Sequence, residues 1–256
     1  MALRQRFGSK TRNERYRLLL SAAAGGGASD EHIANVALLA AMDGSDEDTT
    51  YTADVGGQTL TFIGNAKLDN VNPKFGTTSL LLDGTGDNVT IPDEAALEFG
   101  SAEFTVECHV RWSTDPTTTQ EAFISKWGSA AKAFYFGLRN NQLVMFHSSN
   151  GSGAFATLAE AFNPVVDQWY HIAFVRDNSS GGVMRVFVDG TQLGTDNPNI
   201  SSNPSINDNA ELVLIGAFND TGSDYFTGNI ENVRVTLGVA RYAANFTAPT
   251  AAYPTS

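Results

Sequence analysis

Apolar and polar residues alternate along most of the chain after residue 36, and the stretch FTVECHVRW from Phe104 to Trp112 shows this most clearly. One set of side chains is apolar, namely Phe104, Val106, Cys108, Val110 and Trp112. The intervening set is polar, namely Thr105, Glu107, His109 and Arg111. A period of two residues predicts a β-strand that buries one face and leaves the other in solvent.

The same pattern recurs in short runs that are separated by turn-forming residues. We predict hairpins with tight turns at Asn140-Asn141 and at Asp189-Gly190, because these residue pairs tolerate the positive φ of such turns. SLLLDGTGDNVTIP (79–92) predicts two strands about a glycine-rich turn. About a dozen short strands without room for crossover helices indicate an antiparallel two-sheet sandwich.

Charge and glycine content divide the chain into two parts. The glycine-rich stretch from Ser21 to Ser29 predicts a flexible joint, so we assign residues 1–30 to an N-terminal arm and residues 31–256 to one domain. Residues 1–20 hold six basic groups against Glu14, whereas the remainder holds ten basic and 27 acidic groups, a net charge of −17. The acidic domain is a poor partner for nucleic acid.

The basic arm suits attachment to the acidic surface of a larger partner. The residues that we expect to make this anchor are Arg4, Arg6, Phe7, Arg12, Arg15, Tyr16, Arg17, Leu18, Leu19 and Leu20. A charged start followed by a short apolar stretch is also the pattern of a secretory signal, and that alternative stays open. No apolar run in the sequence is long enough to predict a membrane span.

Five segments in order resemble a concanavalin A-like jelly roll of the laminin-G-like type. They are VALLAAMDG (36–44), KFGTTSLLLDGTGDNVTIPD (74–93), FTVECHVRW (104–112), the WYHIAFVRD and MRVFVDGTQLG pair (169–194) and the closing GNIENVRVTLGVARY (228–242). The GVARY close is similar in particular to laminin-G-like domains of tailed-phage structural proteins. The resemblance implies that Ile230, Val233 and Val235 pack in the sandwich, and that Arg241 and Tyr242 hold an ordered tail across it.

Catalytic patterns are missing from the sequence. Glucanases of this fold resemble one another in a strand with Glu-x-Asp-x-x-Glu, and no such string occurs here, so we expect no enzymatic activity. DEAALE (93–98) predicts a solvated turn. The four histidines are scattered along the sequence, and His109 is expected to be partly exposed on a polar strand face.

Two kinds of ligand site stay open at this stage. The loop LIGAFNDTGSDYFTGNI (214–230) resembles the calcium loop of pentraxins, which makes Asn219, Asp220 and Asp224 candidate Ca²⁺ ligands, although Phe218 stands where an acidic residue is expected. Trp127, Tyr135 and Tyr225 are candidate aromatic contacts for a glycan.

These patterns lead to a functional expectation. A non-enzymatic surface protein of a tailed-phage virion would use its arm to bind other virion proteins, and it would present a jelly roll that decorates the capsid or contacts host glycans. We expect such a protein to assemble in several copies. The alternative is an extracellular or cell-surface carbohydrate-binding module, with or without calcium.

Overall fold

A computed structural model describes residues 29–116, 120–129, 131–153, 155–179, 182–197, 205–219 and 224–256. The predicted anchor residues of the arm lie outside these ranges. Two 3₁₀ helices, Ile33–Asn35 and Ala95–Leu97, accompany sixteen strands. Neither helix has the length of a membrane span, and the described part of the chain contains no other.

The first sheet has eight strands. They are β1 (Val36–Ala40), β4 (Lys67–Asp69), β5 (Ser79–Asp83), β7 (Phe104–Trp112), β12 (Trp169–Asp177), β13 (Val183–Val188), β14 (Thr191–Asn197) and β16 (Thr227–Leu237). Their order is β14-β13-β12-β7-β16-β5-β4, and β1 pairs with the second half of β16. Asn232, with φ of +51°, marks the irregular register in the middle of β16.

The second sheet also has eight strands. They are β2 (Thr50–Thr52), β3 (Thr59–Ile63), β6 (Asn88–Ile91), β8 (Gln120–Trp127), β9 (Lys132–Arg139), β10 (Gln142–His147), β11 (Phe155–Ala161) and β15 (Val213–Ile215). Their order is β11-β10-β9-β8-β15-β6-β3-β2, with antiparallel pairing throughout. The predicted two-sheet antiparallel sandwich is confirmed.

The two predicted hairpins are present. Asn140 and Asn141 have φ of +49° and +61° between β9 and β10, and Asp189 and Gly190 have +48° and +78° between β13 and β14. The segment 79–92 does form two strands, but β5 belongs to the first sheet and β6 to the second. Its glycine-rich turn therefore carries the chain from one sheet to the other.

One large apolar core fills the space between the sheets, and the closing strand contributes to it as expected. Ile230, Val233 and Val235 are each at most 1% exposed. Trp112, Phe123 and Phe226 pack edge to face or at a tilt near one end of this core. Burial of such large side chains is the main stabilising contribution in a sandwich of this size.

Candidate functional site

The outer face of the first sheet is covered by protein rather than by solvent. The chain after β16, residues 238–256, crosses this face, and we call the covered surface the tail-covered face. The prediction that one face of β7 meets solvent is therefore wrong. Glu107 is fully buried and His109 is 1% exposed, because the tail packs over them.

Glu107 is the centre of a hydrogen-bonded network on the tail-covered face. Arg234 donates from Nε at 2.9 Å, and the hydroxyls of Tyr242 and Tyr253 donate at 2.9 and 3.0 Å. His171 Nε2 lies 3.0 Å from the same carboxylate. Burial raises the pKa of Glu107, but the charges of Arg234 and His171 outweigh burial and bring it well below its usual range.

Asp30 joins the start of the domain to the same network. Its carboxylate accepts hydrogen bonds from Arg241 and Arg234 at 2.8 to 3.0 Å, and its backbone N–H donates to Ser256 at 3.1 Å. The expectation that Arg241 and Tyr242 hold the tail is thereby confirmed. The chain also enters the domain on this face, beside its C-terminus.

Two of the four histidines lie next to each other in the structure. His109 and His171 are register partners on β7 and β12, and their rings lie 5.0 Å apart. The sequence could not show this pairing because 62 residues separate them in the chain. Burial lowers the pKa of His109 to about 3, and electrostatic interactions with His171 and Lys74 act in the same direction.

The segment 93–98 is a partly solvated turn, since Asp93, Ala95 and Ala96 are exposed as expected, whereas Glu98 is half-buried. Asp93 and Glu98 both contact the amino group of Lys126, whose side chain is fully buried. Lys126 lies on β8 and is the register partner of core-facing Phe134 on β9. Burial raises the pKa of Glu98 to about 7, with a further contribution from Asp208 and an opposing one from Lys126. This cluster ties the 3₁₀ helix Ala95–Leu97 to the second sheet.

The outer face of the second sheet has a different character. Tyr135 alternates with core residues Phe134 and Phe136 on β9 and therefore points outward. It pairs with Phe146 on β10, with ring centroids 5.7 Å apart. Phe218, in the loop after β15, lies 5.0 Å from Tyr135 and 5.5 Å from Trp127. We call these four residues, Trp127, Tyr135, Phe146 and Phe218, the aromatic patch.

Local geometry explains why the patch forms. Gly216 has φ of +84°, donates to the carbonyl of Phe123 and accepts from the N–H of Phe226, so the loop turns back over β8 and brings Phe218 onto the sheet. Tyr135 lies against Gly137, where an added Cβ would meet its hydroxyl at 2.5 Å. Its hydroxyl reaches the carbonyls of Glu121 and Leu138.

Burial divides the patch into a base and a surface. Trp127 is 6% exposed and Tyr135 is 1% exposed, so these two predicted glycan contacts do not present a ring face to solvent. Phe146 and Phe218 are half-buried and flank Tyr135. The surface of the patch is therefore made by two phenylalanines that the sequence reading did not select. Tyr225, the third predicted contact, is half-buried in the adjoining loop.

The predicted calcium residues lie at the two ends of this loop, and Asp220 lies outside the described residues. Asn219 follows Phe218 directly, and the carbonyl of Asp224 accepts from the N–H of Ala122 on β8. Burial raises the pKa of Asp224, and Arg139 opposes this shift. Within the described ranges no three His, Cys, Asp or Glu side chains form a group suited to a metal.

A comparison of the sequence with protein families decides the classification. The profile described as the concanavalin A-like lectin/glucanases superfamily, of laminin-G type, matches residues 83–239, more than half of the chain. The chain belongs to this superfamily. No curated protein sequence matches it.

Solved structures similar to this superfamily member include binding domains. Domain 4 of AbnA, a GH43 extracellular arabinanase from Geobacillus stearothermophilus, solved in complex with arabinotriose, is 18% identical, with a TM-score of 0.57 over 80% of this chain and 94% of that one. The binding domain of Paraclostridial Mosquitocidal Protein 1 is 8% identical, with a TM-score of 0.59 over 80% of this chain and 49% of that one.

A third similar structure is the binding domain of botulinum neurotoxin DC in complex with rat synaptotagmin II. It is 12% identical, with a TM-score of 0.57, and the match covers 80% of this chain and 49% of that one. The chain thus spans about half the length of the toxin binding domains that it matches. At these identities the likeness establishes the shared fold.

Proposed function

We propose that the protein is a non-enzymatic glycan-binding module and that the aromatic patch is its binding surface. The observation that carries this proposal is the pair of half-exposed rings, Phe146 and Phe218, on either side of buried Tyr135. The C–H faces of a sugar ring stack on such aromatic surfaces, while polar groups around the rim fix its orientation. The polar rim here includes Arg139, Asn219 and Asp224.

The similar structures support a binding role. One of them is a domain of an arabinanase in complex with arabinotriose, and others are binding domains of toxins. They support a binding role for this fold in general. The assignment of the binding site to the aromatic patch comes instead from the burial of its four rings. Fold likeness alone does not determine a ligand.

The arrangement of carboxylates favours binding over hydrolysis. A glycosidase needs two carboxyl groups on one side of the scissile bond. Asp224 lies beside the patch. Glu121 on β8 is the register partner of core residue Leu138, so the Glu121 side chain points toward the interior, and Glu121 is only 2% exposed. Asp93 and Glu98 are both engaged by Lys126 at another position on β8.

A glycan array followed by calorimetry tests the binding surface. The array should include bacterial surface polysaccharides and plant oligosaccharides, with arabinotriose among them. We expect Phe146→Ala and Phe218→Ala each to weaken binding about tenfold or more, which corresponds to about 1.4 kcal/mol. Val71→Ala is the control, because Val71 is an exposed apolar residue outside the patch. Undiminished binding by both phenylalanine variants would place the site elsewhere.

The non-enzymatic part of the proposal has its own test. Each glycan that binds should be incubated with the protein and analysed for new reducing ends. We expect none. Release of sugar that is lost in Asp224→Asn would instead identify the patch as the active site of a glycosidase.

We further propose that the module is displayed on the virion of a tailed phage, where it decorates the capsid or belongs to the tail. Three observations support this: the basic arm, the acidic domain and the GVARY close with its likeness to phage proteins. The chain enters the domain at Asp30 on the tail-covered face, and the aromatic patch lies on the opposite sheet. An arm held by other virion proteins would therefore leave the patch facing outward.

Deletion of residues 1–28 tests the anchor. We expect the truncated protein to fold and to bind glycan, but to be lost from assembled particles. The charge contribution is isolated by replacing Arg4, Arg6, Arg12, Arg15 and Arg17 with Gln in the full chain. Normal incorporation of the truncated protein would refute the anchor.

A carbohydrate-binding module outside the cell is the second candidate, favoured by the match over 94% of a domain from an extracellular arabinanase. This candidate predicts a mature chain that starts after the arm. The N-terminal sequence of the natural protein therefore distinguishes an extracellular module from a virion protein. The extracellular candidate also allows calcium at Asn219, Asp220 and Asp224. Calorimetric titration with Ca²⁺ tests this, and Asp220→Asn should abolish any heat that arises at this loop.

A further inference from the structure

Arg139 is a cation at the edge of the aromatic patch. It is the last residue of β9, directly before the Asn140-Asn141 turn, and it is exposed. Its guanidinium lies 5.5 Å from the centre of the Phe146 ring. It also opposes the rise in the pKa of Asp224 that burial causes. A positive group is thus held where a stacked sugar would lie.

Arg139 differs from most other basic side chains of this acidic domain. Six of them form ion pairs: Lys67, Arg111, Lys126, Arg185, Arg234 and Arg241. Lys132 and Arg176 donate to carbonyl oxygens. Among the described residues, Arg139 and Lys74 have neither an ion pair nor a side-chain hydrogen bond, and each lies over an aromatic ring. The guanidinium donors of Arg139 are therefore available to a ligand.

We propose, on the basis of the function proposed above, that Arg139 makes the patch selective for acidic sugars that carry a carboxylate. The guanidinium would bind the carboxylate through two parallel hydrogen bonds, while the sugar ring stacks on Phe146 or Phe218. Arginine suits this geometry better than lysine, because its planar fork matches the two carboxylate oxygens.

The surrounding charge limits the ligand to a low charge density. Asp224 interacts electrostatically with Arg139, and the chain after residue 20 carries a net charge of −17. A densely sulfated polymer would be repelled by this field, whereas one carboxylate per sugar meets one guanidinium at short range. The ligand class is therefore a glycan of uronic or sialic acid with no more than one carboxylate per sugar.

Two matched pairs of probes test the selectivity at about 0.15 M salt, where long-range repulsion is largely screened. Trigalacturonic acid is compared with its methyl ester, and 3′-sialyllactose is compared with lactose. We expect the wild type to bind one acidic probe at least about tenfold more tightly than its neutral partner. The pair that shows this preference identifies the source as uronic or sialic.

Variants then assign the preference to one side chain. Arg139→Gln should remove the preference, so that the acidic and the neutral probe bind with similar affinity, and Arg139→Lys should restore part of it. Lys74→Gln is the matched control, since it removes the same charge from a second cation that lies over an aromatic ring. Melting temperatures of all variants should agree with that of the wild type, because Arg139 is exposed.

The outcomes separate this inference from the proposal beneath it. A wild type without preference for either acidic probe, or a preference that survives in Arg139→Gln, overturns the role of Arg139. If neutral glycans still bind in a manner that depends on Phe146, the patch remains the binding surface. If no glycan of any kind depends on Phe146 or on Phe218, the patch is not a glycan-binding surface and the proposed function itself fails.

Discussion

The outer faces of the two sheets have opposite characters. The tail-covered face is rich in charge, yet its carboxylates at Glu107 and Asp30 are surrounded by donors and removed from solvent. The aromatic patch is mostly apolar, yet Phe146 and Phe218 stay half-exposed. Titratable groups alone would point to the first face as the functional site, although its carboxylates at Glu107 and Asp30 are already paired within the protein.

The comparison shows that an unusual cluster of charge is not by itself a binding site. Buried charges are tolerated only when they are paired and hydrogen-bonded, and such a network commonly has a structural role. An apolar surface that stays exposed to solvent does not have a structural role of this kind. We therefore expect changes on the first face to act on stability and changes on the second face to act on binding.

Removal of Glu107 should have the largest effect. Glu107→Ala leaves Arg234 without its central partner in a buried site, and such losses cost about 3–5 kcal/mol of unfolding free energy. Chemical denaturation measures the change. Asp167→Asn is the control, because it removes a carboxylate that is 63% exposed from the pair with Arg111 and should cost about 1 kcal/mol or less. A loss below that of the control would mean that the network is not structural.

The pH dependence of stability should follow His109. Its pKa is lowered by burial to about 3, whereas an unfolded histidine titrates near 6.5. The unfolded chain therefore binds more protons below pH 6.5, and stability falls as the pH falls from 6.5 toward 3. Between pH 7 and pH 4 this contribution amounts to roughly 3 kcal/mol.

His109→Phe isolates this contribution, since it keeps an aromatic ring beside Phe75 and His171 but cannot titrate. Unfolding measured from pH 7 to pH 4 should show a shallower loss for the variant than for the wild type. Other groups titrate equally in both proteins, including Glu231, whose pKa is raised by burial to about 7 and which acts in the opposite direction. Parallel curves would show that His109 is accessible to protons when folded.

Much of the fold could be predicted because it follows from alternation and turn chemistry. The strands of Phe104 to Trp112 and of both hairpins, with their positive-φ turns, were predicted from short local patterns. Strands β2, β4 and β11 were not predicted. β2 and β4 have three residues each, which is too few to show a period, whereas β11 has seven residues.

The outer faces of the two sheets could not be predicted as well as the strands, because the pattern of a strand does not show which segment covers that strand. The tail after Gly238 has no regular structure, so its position over His109 and Glu107 depends on contacts distant in sequence. The patch was predicted in part. Trp127 and Tyr135 do belong to it, but their rings form its buried base, and Phe146 and Phe218 form its surface.

Gly137→Ala connects the patch to its support. An added Cβ would lie 2.3 Å from the carbonyl oxygen of Glu121 and 2.5 Å from the hydroxyl of Tyr135, so Tyr135 must move. Overpacking of this kind costs about 1–3 kcal/mol. We expect weaker glycan binding as well, because Phe146 and Phe218 both rest on Tyr135. Unchanged affinity in a destabilised variant would show that the surface rings do not depend on their base.

The smallest effects come from a matched pair of truncations, one on each face. Phe246 and Phe218 are both half-buried, but Phe246 stacks on Tyr242 in the tail, at a centroid distance of 3.6 Å, whereas Phe218 covers Tyr135 and Trp127. Phe246→Ala should cost about 1–2 kcal/mol of stability and leave glycan binding intact. Phe218→Ala should cost about 1 kcal/mol or less and reduce binding. Thermal melts and calorimetry on the same samples measure both quantities, and the reverse assignment of the two effects would exchange the roles of the two faces.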